Sequence, residues 1–347
     1  MGDDYIMKKI KTIDAVGHVL CHDITQIIKD VKDGPVFKKG HVVREEDIEV
    51  LLSVGKDHLY IYEADESMLH ENDAADILYN VCKNDYMKPT EVKEGKIEVI
   101  ATEGGLLKVD IDRLQQINEI GEIIIATRHN NTVIKVNDKL AGTRIIPLMI
   151  HKDKLEQVKA IHNEQPLLEI KPFHHFKVGV ITTGNEVYYG RIKDTFTPVI
   201  KNKLAKYNLE INHHIIVNDD IEKIQAAISE CRDLGMELII CTGGMSVDPD
   251  DLTPGAIKAS GAEILTYGAP VLPGAMFLLG YFEDGTPIVG LPGCVMYAKA
   301  TSFDLMFPRI LAKDTITKKE IAALGHGGLC LKCPVCTFPH CEFGKGS

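Results

Sequence analysis

Between residues 171 and 312 the hydrophobic positions fall into short runs that alternate with stretches of helical spacing. FKVGVITTG (176–184) is an apolar run stopped by glycine, the pattern of a strand buried on both faces. TPVIKNKLAKYN (197–208) predicts a helix and EINHHIIVN (210–218) a second strand. Asn218 or Asp219 then stands where a helix cap belongs, ahead of Ile221, Ile224, Ala227, Ile228 and Cys231 at helical spacing, and Gly235 ends that helix. MELIICT (236–242) is a third strand, a short helix follows over 254–260, and AEILTYG (262–268) is a fourth. Two apolar runs flanking Glu283, Asp284 and Gly285 predict a hairpin across 276–293, and CVMYAKATSFDLMFPRILA (294–312) reads as one long closing helix. Strands separated by helices of this length predict an α/β fold: three α/β/α layers around a mainly parallel sheet. Ligands of such sheets collect at the carboxyl ends of the strands.

The first 165 residues follow a different pattern. GPVFKKGHVVREEDIEVLLSVGKDHLYIYE (34–63) suggests a small β-rich unit over 1–66 with one helix near 45–53. Residues 67–165 read as an α+β auxiliary unit with a helical stretch around 73–81. NEQPLLEIKPFHH (163–175), with two prolines and little periodicity, reads as the linker to the 171–312 domain, and a cysteine-rich tail occupies 325–347.

Composition narrows the function. A chain of 347 residues, 45% of them hydrophobic, can build several cores. Thirty-nine basic against 50 acidic residues give a net charge of −11, which repels nucleic acid but leaves room for a small anion held by backbone N–H groups. No apolar run approaches the roughly 18 residues that cross a bilayer, and the start, MGDDYIMKKIKTID, is too polar for a signal peptide. The expectation is a cytoplasmic protein with no membrane partner. In such a compartment nine cysteines point away from structural disulfides. Cys21, Cys82, Cys231, Cys241 and Cys294 are scattered and read as inert thiols.

Candidate chemistry lies where strands end. TTGNEV (182–187) and CTGGMSVDPDD (241–251) leave successive strand ends, and GLPG (290–293) leaves a third. Their glycines permit positive φ and close backbone approach, so N–H groups can cradle a phosphate to which Ser246 adds a hydroxyl. Carboxylates in such a place suit a divalent cation, or the amino-bearing ring of a ligand. The plainer alternative is that Asp248, Asp250 and Asp251 cap the next helix. Arg191 and Lys193 in RIKDTF (191–196) either pair with an anion or form a solvated turn before a helix capped by Asp194. The His pairs at 174–175 and 213–214 alternate across a strand and read as structural.

The order TTGNEV, CTGGMSVDPDD, LPG (272–274), GLPG resembles the molybdopterin-binding domain shared by the MoeA and MogA families. The likeness covers residues 171–312. VKDGPVFKKGHVVREEDIEVLLSVGKDHLYIY and VNDKLAGTRIIPL (136–148) are more weakly similar to MoeA auxiliary domains. The whole chain looks like MoeA-like proteins of anaerobic bacteria that carry a cysteine tail. This resemblance implies a site for molybdopterin or its adenylylated form, with Mg2+. It assigns catalytic roles to Glu186, Asp251 and Asp219 or Asp220. The binding residues it marks are Thr183, Gly184 and Asn185 in the first turn, and Thr242, Gly243, Gly244, Ser246 and Asp248 in the second. Pro273 and Gly274 form a third group, and Leu291, Pro292 and Gly293 a fourth. Departures matter: Asn185 replaces the aspartate of TGDEL, Asp248 replaces the glycine of SVG, no MDGYA-type segment is present, and the lysine of PGKP is missing. The resemblance implies partners in cofactor biosynthesis or a recipient molybdoenzyme, and a homodimer. Alternatives are a nucleotide pyrophosphate hydrolase of the competence-damage type and a non-catalytic redox or sensing module.

The tail CLKCPVCTFPHCEFGKGS spaces Cys330, Cys333, Cys336 and Cys341 as C-x2-C-x2-C-x4-C. Four soft thiols this close suit a metal centre, either an iron–sulfur cluster or Zn2+. Redox thiols are the other reading, and His326 and His340 read as exposed tail residues.

Overall fold

In the computed structural model, which describes residues 7–26, 34–38, 40–62, 67–246 and 251–346, the apolar runs of the second half become one sheet. The chain divides into two compact units, one of Met1–Glu103, Leu107–Asn130 and Lys135–Ile170, the other of Gly104–Leu106, Asn131–Ile134 and Lys171–Ser347.

The first unit holds an antiparallel pair, Met7–Lys11 with His58–Tyr62, and a helix at Asp47–Ser53. Ala15, Leu20, Ile24, Val43, Leu51 and Leu59 form a buried cluster of their own there. A four-stranded antiparallel sheet follows in the order Met87–Pro89, Ile97–Ala101, Lys139–Ile145, Ile123–Thr127. Helices Glu71–Cys82, Ile111–Glu119 and Lys152–His162 belong to the same unit. Residues 163–175, read as a linker from their prolines, instead contain the strand Leu168–Lys171. Its alternating buried positions Leu168 and Ile170 carried a strand signal that the prolines masked.

In the second unit the chain runs β1 (Val178–Thr183), α1 (Asn185–Tyr188), α2 (Phe196–Ala205), β2 (Ile211–Val217), α3 (Ile221–Asp233), β3 (Leu238–Thr242) and α4 (Thr253–Ala259). It continues through β4 (Glu263–Tyr267), β5 (Leu278–Tyr281), β6 (Pro287–Leu291), α5 (Ser302–Leu311) and α6 (Lys318–Ala323). The sheet order is β2-β1-β3-β6-β5-β4. β2, β1, β3 and β6 pair in parallel, and the β4–β5–β6 meander closes the sheet antiparallel. Alternation along the buried strands feeds two cores. Val178, Val180, Leu238, Ile240, Val289 and Leu291 pack with Ile200, Leu204, Phe303 and Phe307 of α2 and α5. Ile181, Ile239, Cys241 and Ile288 pack with Ile224, Ile228, Ala256 and Ile257 of α3 and α4. The result is the three-layer α/β/α fold that the pattern predicts.

The long helix expected over 294–312 is two pieces. A 3-10 turn at Gly293–Met296 ends, and α5 starts afresh where Thr301 and Asp304 bond each other's backbone N–H groups in a capping box. Asp304 has a second task. Lys203 of α2 donates to its two oxygens at 2.6 and 2.7 Å, and both side chains are largely withdrawn from water. In the last turn of α5, Arg309 is held by Asp314 and Glu320, and the tail folds onto the same core through Phe343, with Cys330, Phe338 and Cys341 beside it. Among the described residues no helix is long and apolar enough to cross a membrane.

Removing one member of a buried ion pair strands the other, at a cost of about 3–5 kcal/mol. Lys203→Met is therefore expected to lower the unfolding free energy of this unit by about 3 kcal/mol in urea titrations. A loss below about 1 kcal/mol would show that the pair does not tie α2 to α5.

Candidate functional site

Parallel pairing sets the site. Thr182 of β1 is the register partner of Thr242 of β3, and Thr242 is the partner of Leu291 of β6. Neighbouring strands are separated by about 4.8 Å, so the three turns after these residues leave one sheet edge within about 10 Å. The fourth motif joins them because β5 is antiparallel: Leu278, at its start, pairs with Gly290 at the end of β6, which brings the preceding 272–274 turn to that edge.

The first turn bends at Gly184, with φ of +138° and its N–H bonded to the Val217 carbonyl at 3.2 Å. Asn185 donates its backbone N–H to Asp219 Oδ2 at 2.8 Å, which ties this turn to the end of β2. Glu186 is exposed and its carboxylate lies close over Gly184. Asp220 does something else: it caps α3 by accepting from the Lys223 N–H at 3.2 Å. Of the two adjacent aspartates assigned catalytic roles, Asp219 faces the glycine turn and Asp220 is a helix cap.

The second turn needs both its glycines. Gly243 has φ of +88°, and a Cβ there would run into the Thr183 carbonyl oxygen; Gly244, at +56°, lies against the Thr183 and Thr253 hydroxyls. Those hydroxyls bond each other at 3.1 Å, and Thr253 also donates to the Gly243 carbonyl at 2.9 Å. Tyr267 of β4 donates to the carbonyls of Met245 and Ser246 at 3.0 and 3.3 Å. Burial, and after it the charge of Asp251, holds the Tyr267 hydroxyl above its ordinary pKa, which places Asp251 near this turn. Helix α4 has Leu252 at its N-cap and no side-chain cap bond, so Asp251 does not occupy the cap position. Asp248 and Asp250 lie outside the described residues.

The remaining motifs meet each other. Ser302 donates to the Gly274 carbonyl at 2.7 Å, and a Cβ on Gly274, whose φ is +118°, would collide with Ser302. The Cys294 sulfur, just past GLPG, accepts backbone N–H bonds from its own residue and from Gly274. Burial raises the thiol pKa, and those bonds together with Lys203 oppose the rise. Gly293 is exposed and Pro273 partly so, whereas Pro292 is buried.

Thr183, Thr242 and Leu291 are 3%, 0% and 0% exposed, so their side chains frame the turns from within the fold. Exposed or partly exposed at these turns are Asn185, Glu186, Gly243, Gly244, Ser246, Pro273 and Gly293.

One network escaped the sequence reading. Thr242 donates to Thr182 at 3.4 Å, and the Thr182 hydroxyl lies 3.0 Å from His214 Nε2. His214 also meets Thr197 Oγ1 at 3.1 Å, and Thr197 donates to Asp194, which accepts the Phe196 and Thr197 N–H groups at the start of α2. His214 is held below its ordinary pKa by burial, against the pull of Asp194. The signal was present in Thr182 and Thr242, two residues and one residue before the first glycine of their turns. His213 points to the other face and meets Glu230 at 2.8 Å, so the His pair is divided as strand alternation requires.

Among the described residues no group of three or more His, Cys, Asp or Glu side chains could hold a metal. That includes the tail. Cys330 and Cys341 are partly buried against the core, while Cys333 and Cys336 are exposed. The tail backbone is anchored by a Cys330 N–H to Leu272 carbonyl bond of 2.8 Å and a Gly344 N–H to Gly327 carbonyl bond of 2.9 Å. Elsewhere in the chain, burial pushes the Cys82 and Cys231 thiols up to about 12 and about 11.

Residues 179–312 match the model of a probable molybdopterin binding domain, and residues 9–63 match a domain of unknown function. Competence-damage inducible proteins of Bacillus cereus and Bacillus anthracis are 33% identical over 93 residues, 27% of this chain and 22% of theirs. The matched part of the chain thus spans less than a quarter of those relatives. Among solved structures, the molybdopterin biosynthesis enzyme MoaB of Thermus thermophilus is 24% identical over 39% of this chain and 91% of its own, with a TM-score of 0.33. The tungsten cofactor synthesizing protein MoaB of Pyrococcus furiosus gives 23%, 39%, 92% and 0.33. CinA of Thermoplasma acidophilum gives 19%, 39%, 98% and 0.34.

Gly243→Ala tests the contact between the first two turns. Positive φ and the Thr183 carbonyl both oppose the added methyl, so a destabilisation of about 2 kcal/mol or more is expected in denaturant titrations. A neutral substitution would mean that the two turns do not touch.

Proposed function

We propose that the α/β unit binds molybdopterin, or its adenylylated form, and that the chain acts in maturation of the molybdenum cofactor, in metal insertion, or in its delivery to a molybdoenzyme. The observation that carries this reading is the ending of three glycine turns at one edge, with Glu186 on the first of them and Asp219 bonded to it. The family match over 179–312 supports the ligand class. The MoeA-like identity, a cytoplasmic location, a homodimer and contact with a cofactor-biosynthesis protein or recipient enzyme are parts of the same proposal.

Turn N–H groups are the phosphate-facing element. Mg2+ typically takes one or two carboxylates together with substrate phosphate oxygens, a demand that Glu186 and Asp219 fit. In a chain of net charge −11 such a cation would offset the repulsion between these carboxylates and the ligand phosphate. Glu186, Asp219 and Asp251 are the groups proposed for any transfer chemistry, and the binding role stands without it. The Bacillus relatives favour a second reading, hydrolysis of a nucleotide pyrophosphate at the same edge. Turnover of a dinucleotide would select it.

Mass analysis of the ligand released from protein isolated without oxygen tests the main reading. About one pterin per chain is expected, with roughly tenfold less in Glu186→Gln and Asp251→Asn, the effect of losing one charge-assisted contact. Equal retention by parent and both variants would contradict the assignment of these carboxylates.

The tail is a separate proposal, resting on donor chemistry: four soft thiols within 12 residues suit Zn2+ or an iron–sulfur cluster. They are not gathered here, so uptake would require the 331–340 segment to rearrange between its anchored ends. Metal analysis is expected to find zinc or iron in the parent and neither in Cys333→Ser/Cys336→Ser. Metal-free parent protein with all four thiols titratable would remove this reading.

A further inference from the structure

The cysteine tail carries two thiols that the core does not use. Cys330 and Cys341 are partly buried and pack against the apolar core, and Cys21, Cys82, Cys231 and Cys241 are buried elsewhere in the chain. Cys333 and Cys336 stand in the open. A cysteine without a chemical task behaves as a small apolar residue and is among the most buried of all types. Two exposed thiols at C-x2-C spacing therefore call for chemistry.

They lie on a loop pinned at both ends. On one side, Leu272 donates its N–H to the Gly328 carbonyl and accepts from the Cys330 N–H, both at 2.8 Å. On the other, Phe338 packs on the core and meets the buried Phe343 with ring centroids 6.0 Å apart. Every residue from 331 to 337 is exposed. The chain bends at Pro334 and Val335, so the two cysteines occupy the two arms of that bend. Four-residue turns hold their end Cα atoms within about 7 Å, and a disulfide spans about 4.4–6.8 Å between Cα atoms. A bond between Cys333 and Cys336 therefore asks only for local adjustment of exposed backbone and disturbs neither pin.

The remaining thiols are poorer partners for such a bond. Burial holds Cys82 and Cys231 in the thiol form, whereas the thiolate is the form that attacks a disulfide. Cys330 and Cys341 stand at the pinned ends, with their side chains turned to the core. Access and chain geometry both single out the pair at the bend.

We propose that Cys333 and Cys336 form a dithiol–disulfide couple that exchanges with an external disulfide. The thiolate of one cysteine attacks a sulfur of that disulfide, whose S–S bond breaks as one thiol leaves with a proton from solvent. The second cysteine, as thiolate, attacks the mixed disulfide, forms the Cys333–Cys336 bond and releases the second thiol. The pair loses two electrons and two protons, and the external disulfide gains both. The couple does not depend on the metal reading of the tail, but it constrains it: the closed form withdraws two of the four sulfur donors, so metal uptake belongs to the reduced state.

The test treats the full chain, isolated without oxygen, with oxidised glutathione, then quenches, alkylates and maps the tryptic peptides, with bound metal counted before and after. Cleavage after Lys332 and Lys345 isolates residues 333–345, away from Cys330. A bond between Cys333 and Cys336 is expected to be roughly tenfold more abundant than every other pairing, with Cys341 alkylated, and to reopen in dithiothreitol. Cys333→Ser and Cys336→Ser are each expected to keep one glutathione on the thiol that remains, because the step that expels it is lost. Bonds running mainly to Cys330 or Cys341, or separate glutathione adducts on Cys333 and Cys336 in the parent, would overturn the couple. So would thiols that stay reduced, with or without bound metal. Release of metal in step with closure supports both readings of the tail, whereas closure in a metal-free parent supports the couple alone.

Discussion

Thr182, Thr242 and Leu291 stand side by side because three parallel strands end in register, and the turn leaving each starts from the same edge of the sheet. That constraint precedes any chemistry. The Thr242–Thr182–His214 contacts brace the row from the side of α2, and the Thr183–Thr253 contact braces it from the side of α4. Buried hydroxyls in this position must find partners within the protein, and doing so fixes the turns to both helical layers.

The site combines charges of both signs without a strong net field. Glu186 lies on the first turn and Asp219, after β2, accepts its Asn185 N–H, while Arg191 and Lys223 of α3 lie beside Tyr189 and Tyr188, which follow the turn. In a chain with an excess of 11 negative charges, the anion binding proposed for this edge would rest on local N–H groups and on this pair of cations. Lys203 does not contribute an open cation, because Asp304 holds it between α2 and α5. Cys294 lies where the two Pro-Gly turns meet, within reach of the Lys203 field, and burial keeps it in the thiol form.

Much of the α/β unit was legible because strands buried on both faces write continuous apolar runs, and glycines mark where they stop. VGVITT and LIICT are such runs, and their positions gave the edge directly. Other details depend on contacts between distant segments. Nothing local distinguishes Asp219, which turns to Asn185, from Asp220, which caps α3. The 294–312 stretch is apolar enough for one helix, and only the capping box of Thr301 and Asp304 restarts it. Tyr188 and Tyr189 left no periodic signal, since an exposed aromatic pair is defined by what fails to cover it. The cysteine spacing was plain in the sequence, yet the tail backbone is anchored at Leu272 and Gly327 and, among the described residues, no three of its thiols gather into a metal site.

The central claim is that one ligand touches all three turns. Hydrogen exchange of the protein with and without molybdopterin measures this most directly, because amides are read segment by segment. The account predicts simultaneous slowing at 184–188, 243–246 and 292–296. Protection confined to one of these segments, or appearing elsewhere in the chain, would contradict it.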